Sequence, residues 1–203
     1  CRAICEATAL PVSADLENGY AHSPKQAATM ITDGADAGLV GGSIEDATGD
    51  AARPLYDFAH AVERIAAAVE AARALPIPFV LVARAENFLH GRPDLDDTIR
   101  RLQAYERAGA DVLFAPGLPD LAAVRTVCAA LQRPFNFMVG IRGRSFTRAE
   151  LEDAGVRRIS LATSLYRAAM SGLLAAAREV QDHGTFGYVD RAMTTPELNG
   201  FLG

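Results

Sequence analysis

Short apolar runs of strand length alternate along this chain with longer amphipathic stretches. The runs are Leu10–Leu16, Leu39–Ile44, Phe79–Ala83, Val112–Ala115, Phe135–Val139 and Arg158–Ala162. Each is nearly continuous rather than alternating, as expected of strands in a parallel sheet covered on both faces. The stretches between them carry helical spacing. Ala59–Ala74 is alanine-rich and periodic, and Asp96–Ala108 sets Ile99, Leu102 and Tyr105 on one face with Arg and Glu opposite. Leu121–Leu131 and Ser164–Gln181 follow the same rule, and Ser23-Pro24 opens a further helix with a capping residue before a first-turn proline. Three helices are predicted to close on Ala-Gly, at Gly38, Gly109 and Gly155, where glycine accepts the left-handed conformation that ends a helix. Three runs start just after a proline, Pro11, Pro78 and Pro134, a position where a lost ladder bond is peripheral.

Six strand–helix units in series, without hairpin signals, predict an α/β fold with a parallel sheet. An open nucleotide-binding sheet needs a GxGxxG loop after an early strand, and the sequence has none. The expectation is therefore a (β/α)8 TIM-type barrel forming one domain over 1–203, with about two βα units preceding Cys1. The chain opens on Cys1 and runs straight into a helical pattern, so it is expected to lack its natural N-terminus.

Composition narrows the partners. A net charge of -5 and a pI near 5.4 argue against nucleic acid, which needs a basic face. Lys25 is the single lysine, which rules out a mechanism needing a catalytic lysine elsewhere. Cys1, Cys5 and Cys128 are odd in number and form no CxxC, so neither a disulfide framework nor a zinc site is indicated and a cytoplasmic home is expected. No apolar run has the length of a membrane span, and no signal peptide is expected. His22, His60, His90 and His183 have no ligand spacing and read as surface residues, and Cys128 reads as core.

In a parallel α/β barrel the chemistry sits at the C-terminal ends of the strands, and these ends are acidic here. The first reads Asp15-Leu16-Glu17-Asn18-Gly19-Tyr20, the second Glu45-Asp46 and the third Arg84-Ala85-Glu86-Asn87. Asp15 and Glu17, two apart, project from one side of an extended chain. Bare carboxylates on neighbouring strand ends repel one another, and a hard divalent cation with oxygen ligands resolves the repulsion. Arg84 supplies a planar fork suited to a substrate carboxylate. The bland alternatives are caps and solvated loop groups for single acids, and an ion pair of Arg84 with Glu86 or Glu45. Arg142-Gly143-Arg144 reads as a solvated turn, or else as a second carboxylate-binding element. The small residues around Gly49 suit a mobile lid.

These same residues carry a family resemblance. Asp15-Leu16-Glu17-Asn18-Gly19-Tyr20 resembles the DxDxGYG metal motif of the isocitrate lyase / phosphoenolpyruvate mutase superfamily. Gly41-Gly42-Ser43-Ile44-Glu45-Asp46 is similar to its GxxIED strand, Ala83-Arg84-Ala85-Glu86-Asn87-Phe88 to its ARxEAF element, and Tyr105–Asp111 to its YxxAGAD turn. The resemblance implies Mg2+, or Mn2+ in its place, held by Asp15, Glu17 and Glu45. It implies catalysis by Arg84, Glu45 and Asp46, and a small carboxylate bound by Arg84, Gly19, Tyr20 and Asn136. It further implies a homodimer or homotetramer in which the segment from about 186 to 203 is exchanged between subunits. The loop that carries KKCGH in the lyases reads Ala47–Tyr56 here, without cysteine, lysine or histidine, and Ala115-Pro116-Gly117 stands where methylisocitrate lyases carry a glutamate. Both departures speak against the usual acid–base route. The functional expectation is Mg2+-dependent lyase or hydrolase cleavage of a C–C or P–C bond in a small 2-oxo or 2-hydroxy carboxylate. The alternative is a non-catalytic barrel that binds a carboxylate metabolite or a protein partner.

Overall fold

A computed structural model describes residues 1–202. The chain divides into two compact units, Cys1–Ser160 and a second beginning at Leu161. The first unit holds six strands: β1 (Ser13–Asp15), β2 (Gly41–Glu45), β3 (Val80–Arg84), β4 (Val112–Phe114), β5 (Phe135–Met138) and β6 (Arg158–Ser160). All neighbours pair in parallel, in the order β1-β2-β3-β4-β5-β6. Every strand is laid beside its predecessor, so the order never reverses as it does in a doubly wound sheet. Each predicted run contains its strand or overlaps it closely. The helices of this unit are α1 (Arg2–Glu6), α2 (Pro24–Asp36), α3 (Phe58–Ala74), α4 (Leu95–Ala108), α5 (Leu121–Ala129) and α6 (Arg148–Asp153). In the second unit lie α7 (Ser164–His183), a 3-10 turn at Gly187–Arg191 and α8 (Thr195–Leu202).

The helix ends follow the predicted chemistry. The Ser23 hydroxyl accepts from the amide of Gln26, capping α2 ahead of Pro24. Gly38, Gly109 and Gly155 all take positive φ where their helices stop. The sequence predicts where α6 closes, at Ala154-Gly155, but not where it starts. Its start is a capping box in which Thr147 and Glu150 each satisfy the other's amide, and the T-x-x-E spacing was there to be seen.

β2 to β5 carry the core. Ile44, Leu81, Leu113, Phe135 and Phe137 are buried against Ile31, Ile65, Leu102, Val124 and Leu151 from the helices. Each such side chain contributes roughly 1.5–3 kcal/mol of transfer free energy. Two glycines set the spacing of β2. A Cβ on Gly41 would meet the Val80 carbonyl oxygen at 2.9 Å, and one on Gly42 would meet Leu16 Cδ1 at 2.7 Å. The outer strands β1 and β6 are the more exposed ones. One reading of the helix faces is corrected by the packing. Arg101 of α4 is buried beside Leu102 and Tyr105 and does not stand on the solvent side. No helix among the described residues is long and apolar enough to cross a membrane.

Candidate active site

Strand register assembles the site. Glu45, Arg84, Phe114, Asn136 and Arg158 are successive partners across β2 to β6, so they form one transverse row on one face of the sheet. Asp15 lies opposite Ser43, two residues before Glu45 and therefore on the same side. The Ser43 hydroxyl donates to Asp15 Oδ1 at 3.2 Å.

Arg84 is the centre of the row. Its Nε and Nη2 donate to Glu86 Oε1 at 2.9 and 2.8 Å, Nη2 lies 3.2 Å from Glu45 Oε2, and Nη1 is paired with Asp15 Oδ2. The guanidinium carbon stands 5.0 Å from the centre of the Phe114 ring. Burial pulls the pKa of Arg84 down, but the charges of Glu86, Glu45 and Asp15 outweigh it and the net shift is upward. Glu45 is pushed up to about 7 by burial; Arg84 opposes the shift while Glu86, Asp15 and Glu17 add to it. Glu86 is also raised, again by burial first, with Arg84 acting the other way. Three acids therefore share one cation, and Glu17 adds a fourth negative charge nearby.

Glu17 does not continue the strand. It takes φ 49, beyond the end of β1, so the extended-chain argument that paired it with Asp15 fails, although its charge still reaches Glu45. The loop that follows is turned by Gly19 at φ 73 and Tyr20 at φ 53. Gly19 is buried and Tyr20 is exposed. The Tyr20 phenol is raised, by burial first and then by the charges of Glu17, Asp15 and Glu45, so it lies in the field of the acids.

Asp46 is not brought to this cluster. It is 2% exposed. Its Oδ1 accepts from the Glu86 amide at 2.8 Å, and its Oδ2 accepts from Arg101 Nη1 at 3.0 Å and Tyr105 Oη at 2.7 Å. Burial raises its pKa, with Arg101 and the Glu86 amide opposing. Asp46 thus fixes the main chain of Glu86, the residue that anchors Arg84. Asn136 is buried and its Oδ1 has no hydrogen-bond partner among the described residues.

The loop between β2 and α3 is closed at its base by an antiparallel bridge between Ala47 and Leu55. The Thr48 hydroxyl donates to the Arg53 carbonyl at 2.5 Å and accepts from the Asp50 amide at 2.9 Å. Beside this loop opens a cavity of about 890 Å³ whose walls include His22, Tyr56, His60, Asn87, Asp97 and Arg101. The acids on Arg84 do not line it. Arg144, at the β5–α6 turn, donates to the Gly117 carbonyl at 2.9 Å and so ties two loops together. Sequence reasoning missed Arg64 and Arg101, both buried. The available signal was their position within the apolar stripes of α3 and α4.

The phosphoenolpyruvate phosphomutase family model matches residues 1–181. A candidate lyase/mutase from Burkholderia cenocepacia J2315 is 50% identical, with a TM-score of 0.96 over 100% of this chain and 73% of that one. Oxaloacetate decarboxylase of Bradyrhizobium diazoefficiens is 35% identical over 138 residues, 66% of this chain and 46% of the enzyme. The 2-methylisocitrate lyase of Escherichia coli K12 is 33% identical over 175 residues, 82% of this chain and 58% of the enzyme. The chain spans about half the length of the curated relatives it matches. With its motifs in order on successive strand ends and the family model matched along most of its length, the chain belongs to the phosphoenolpyruvate phosphomutase family, within the isocitrate lyase / phosphoenolpyruvate mutase superfamily.

Proposed function

We propose that this chain carries the active site of a Mg2+-dependent lyase or hydrolase that cleaves a C–C or P–C bond in a small 2-oxo or 2-hydroxy carboxylate. The observation behind it is the carboxylate excess on Arg84, in which Asp15, Glu45 and Glu86 share one guanidinium with Glu17 close by. Superfamily members use a divalent metal, Mg2+ as a rule. The donors suit such an ion: all are carboxylate oxygens, Asp15 and Glu17 are exposed, and Glu45 is half-buried. Among the described residues no three acids converge as a ready-made cage. Mg2+ keeps several waters and needs only one or two direct carboxylates, so the set fits. Asp15 would hold the ion directly, with Glu17 and Glu45 binding directly or through water.

The ion, once bound, supplies Lewis-acid stabilisation of the oxyanion that develops as the bond breaks. Glu86 anchors Arg84 through Nε and Nη2. The terminal nitrogens, shared with Asp15 and Glu45, are the ones we assign to the substrate carboxylate. Asn136 offers an unpartnered oxygen from the same row, and we assign the neighbouring wall to Gly19 and Tyr20, the latter lying in the field of Glu17, Asp15 and Glu45. Asp46 acts behind the site, through Glu86. The sequential strand order is that of a (β/α)8 barrel, and we read the six strands as part of one. Phe186, Val189, Met193 and Phe201 are exposed, which suits exchange of this segment with a second copy in a dimer or tetramer. Three unpaired cysteines suit a cytoplasmic setting.

The loop from Ala47 to Tyr56 has no lysine, cysteine or histidine, which favours a second reading: a barrel that binds a carboxylate without turning it over. Calorimetry with Mg2+ or Mn2+ on the wild type and Asp15→Ala comes first. It is followed by turnover assays on oxaloacetate, methylisocitrate, dimethylmalate and phosphonopyruvate. Metal binding lost in the variant, with turnover of one acid, is the expected result. Metal binding without any turnover would transfer support to the second reading, and equal binding in both proteins would remove the metal site itself.

A further inference from the structure

α3 buries an arginine where its apolar stripe calls for an aliphatic side chain. Arg64 is 1% exposed, in line with the buried Ala61, Ile65, Ala68 and Ala72. Among the described residues no carboxylate forms an ion pair with it. Its Nη1 donates to the carbonyl oxygens of Ala21 at 2.6 Å and His22 at 2.7 Å, and its Nη2 donates to that of Asn18. The guanidinium carbon stands 4.4 Å from the centre of the Tyr56 ring, and Nε has no partner. Burying a cation with no carboxylate paired to it, and only the more distant charge of Asp46 acting on it, is a poor route to stability. All three of its acceptors, however, belong to a single loop.

That loop follows β1, which ends on Asp15, and carries Glu17, one of the acids of the proposed metal site. Glu17 and Tyr20 are non-glycine residues at φ 49 and 53, with Gly19 at φ 73 between them. Such backbone persists only where its surroundings over-determine it. The start of the loop is tied to β2, because the Glu45 amide donates to the Glu17 carbonyl at 2.9 Å. Two further bonds, Gly19 amide to Leu16 carbonyl and Tyr20 amide to Asn18 Oδ1, are internal to the loop and fix nothing outside it. The far half is tied by Arg64, by His22 Nδ1 to Tyr56 Oη at 2.7 Å, and by His60 Nε2 to the His22 carbonyl at 2.9 Å.

We propose that Arg64 is a positioning residue that clamps the Asn18, Ala21 and His22 carbonyls and so holds Glu17 and Tyr20 in place beside the acid cluster. A guanidinium reaches three carbonyls in fixed directions, which a lysine ammonium on a flexible stem does not. The functional meaning of the clamp rests on the metal-site reading above, but its structural claim does not. The test compares wild type, Arg64→Lys, Arg64→Met and the core control Ile65→Val by amide hydrogen exchange and Mn2+ calorimetry. Arg64→Met is expected to speed exchange across residues 17–22 by about tenfold or more while the amides of β3 and α4 stay protected. Mn2+ affinity should fall by a similar factor, Arg64→Lys should lie between, and Ile65→Val should move neither readout despite a lower Tm. Unchanged exchange at 17–22, or a rise spread evenly over the chain, would overturn the clamp. If the wild type takes up no Mn2+, the metal-site reading falls and exchange alone decides. If Arg64→Met does not fold, Arg64→Lys decides by the same comparison.

Discussion

Replacing Asp46 by asparagine exchanges one oxygen for an amide nitrogen and removes one buried charge. The native carboxylate accepts from three donors: the Glu86 amide, Arg101 Nη1 and Tyr105 Oη. An asparagine has one acceptor oxygen. If that oxygen takes the Glu86 amide, its NH2 group faces Arg101, and the flipped orientation faces NH2 to the Glu86 amide. Either way a donor meets a donor in the interior. The loss of charge-assisted bonds is about 1.5–3 kcal/mol, and breaking a buried pair by changing one partner costs about 3–5 kcal/mol. Arg101 keeps Asp97, which bonds its Nε at 2.8 Å. The low end therefore applies, near 3 kcal/mol. The chain has no tryptophan, so urea unfolding is followed by far-ultraviolet circular dichroism. The double variant with Arg101→Met should cost less than the sum of the singles, because the two share one bond. A loss below about 1 kcal/mol, or strict additivity with Arg101→Met, would refute the reasoning.

Glu45 is raised to about 7 in the folded protein. The folded state therefore holds a proton that the unfolded chain releases at lower pH, and stability falls as pH rises from the ordinary carboxylate range to about 7. Measured in the presence of a chelator, Glu45→Gln should flatten that slope; an unchanged slope assigns it elsewhere. Burial pushes the Cys128 thiol up to about 11, so at mildly alkaline pH Cys1, which is exposed, should react with an alkylating agent well before Cys128. Peptide mapping reads the order, and equal rates would contradict it. Gly41→Ala places a methyl 2.9 Å from the Val80 carbonyl, and main chain does not yield cheaply. A loss of roughly 1–3 kcal/mol in the urea melt is expected, and a neutral outcome would mean the β2–β3 pairing is looser than drawn.

The sheet was readable because both faces of β2 to β5 are covered, which leaves apolar runs in the sequence, and because glycine marks the end of α4. Of α6 only the closing Ala154-Gly155 was legible, because it is a short helix held by a capping box, with a single buried side chain, Leu151. The acids of the site were legible as residues but not as geometry. Asp15, Glu45 and Arg84 converge because strand register aligns them, whereas adjacent Asp46 points into the interior and meets Tyr105. Alternation along a strand predicts opposite sides for Glu45 and Asp46, and that argument was available. Glu17 was misjudged in conformation because a chain leaving a strand can turn left-handed at any polar residue. Arg64 and Arg101 stand within the apolar stripes of α3 and α4, but arginine on an amphipathic helix ordinarily faces water and their partners lie on other elements, so position alone did not mark them as buried.

The bridge between Ala47 and Leu55 gives the β2–α3 loop a waist. Thr48, Asp50 and Arg53 bond within the segment it encloses, so the insert behaves as a cassette fastened at two points. Reagents delivered by such a cassette can be exchanged without disturbing the acids on the neighbouring strand ends. One scaffold could in this way host different bond-breaking chemistries over the same anionic floor. Grafting a cysteine- or lysine-bearing insert between the two fastenings is the direct way to ask how much of a relative's reactivity travels with the cassette alone.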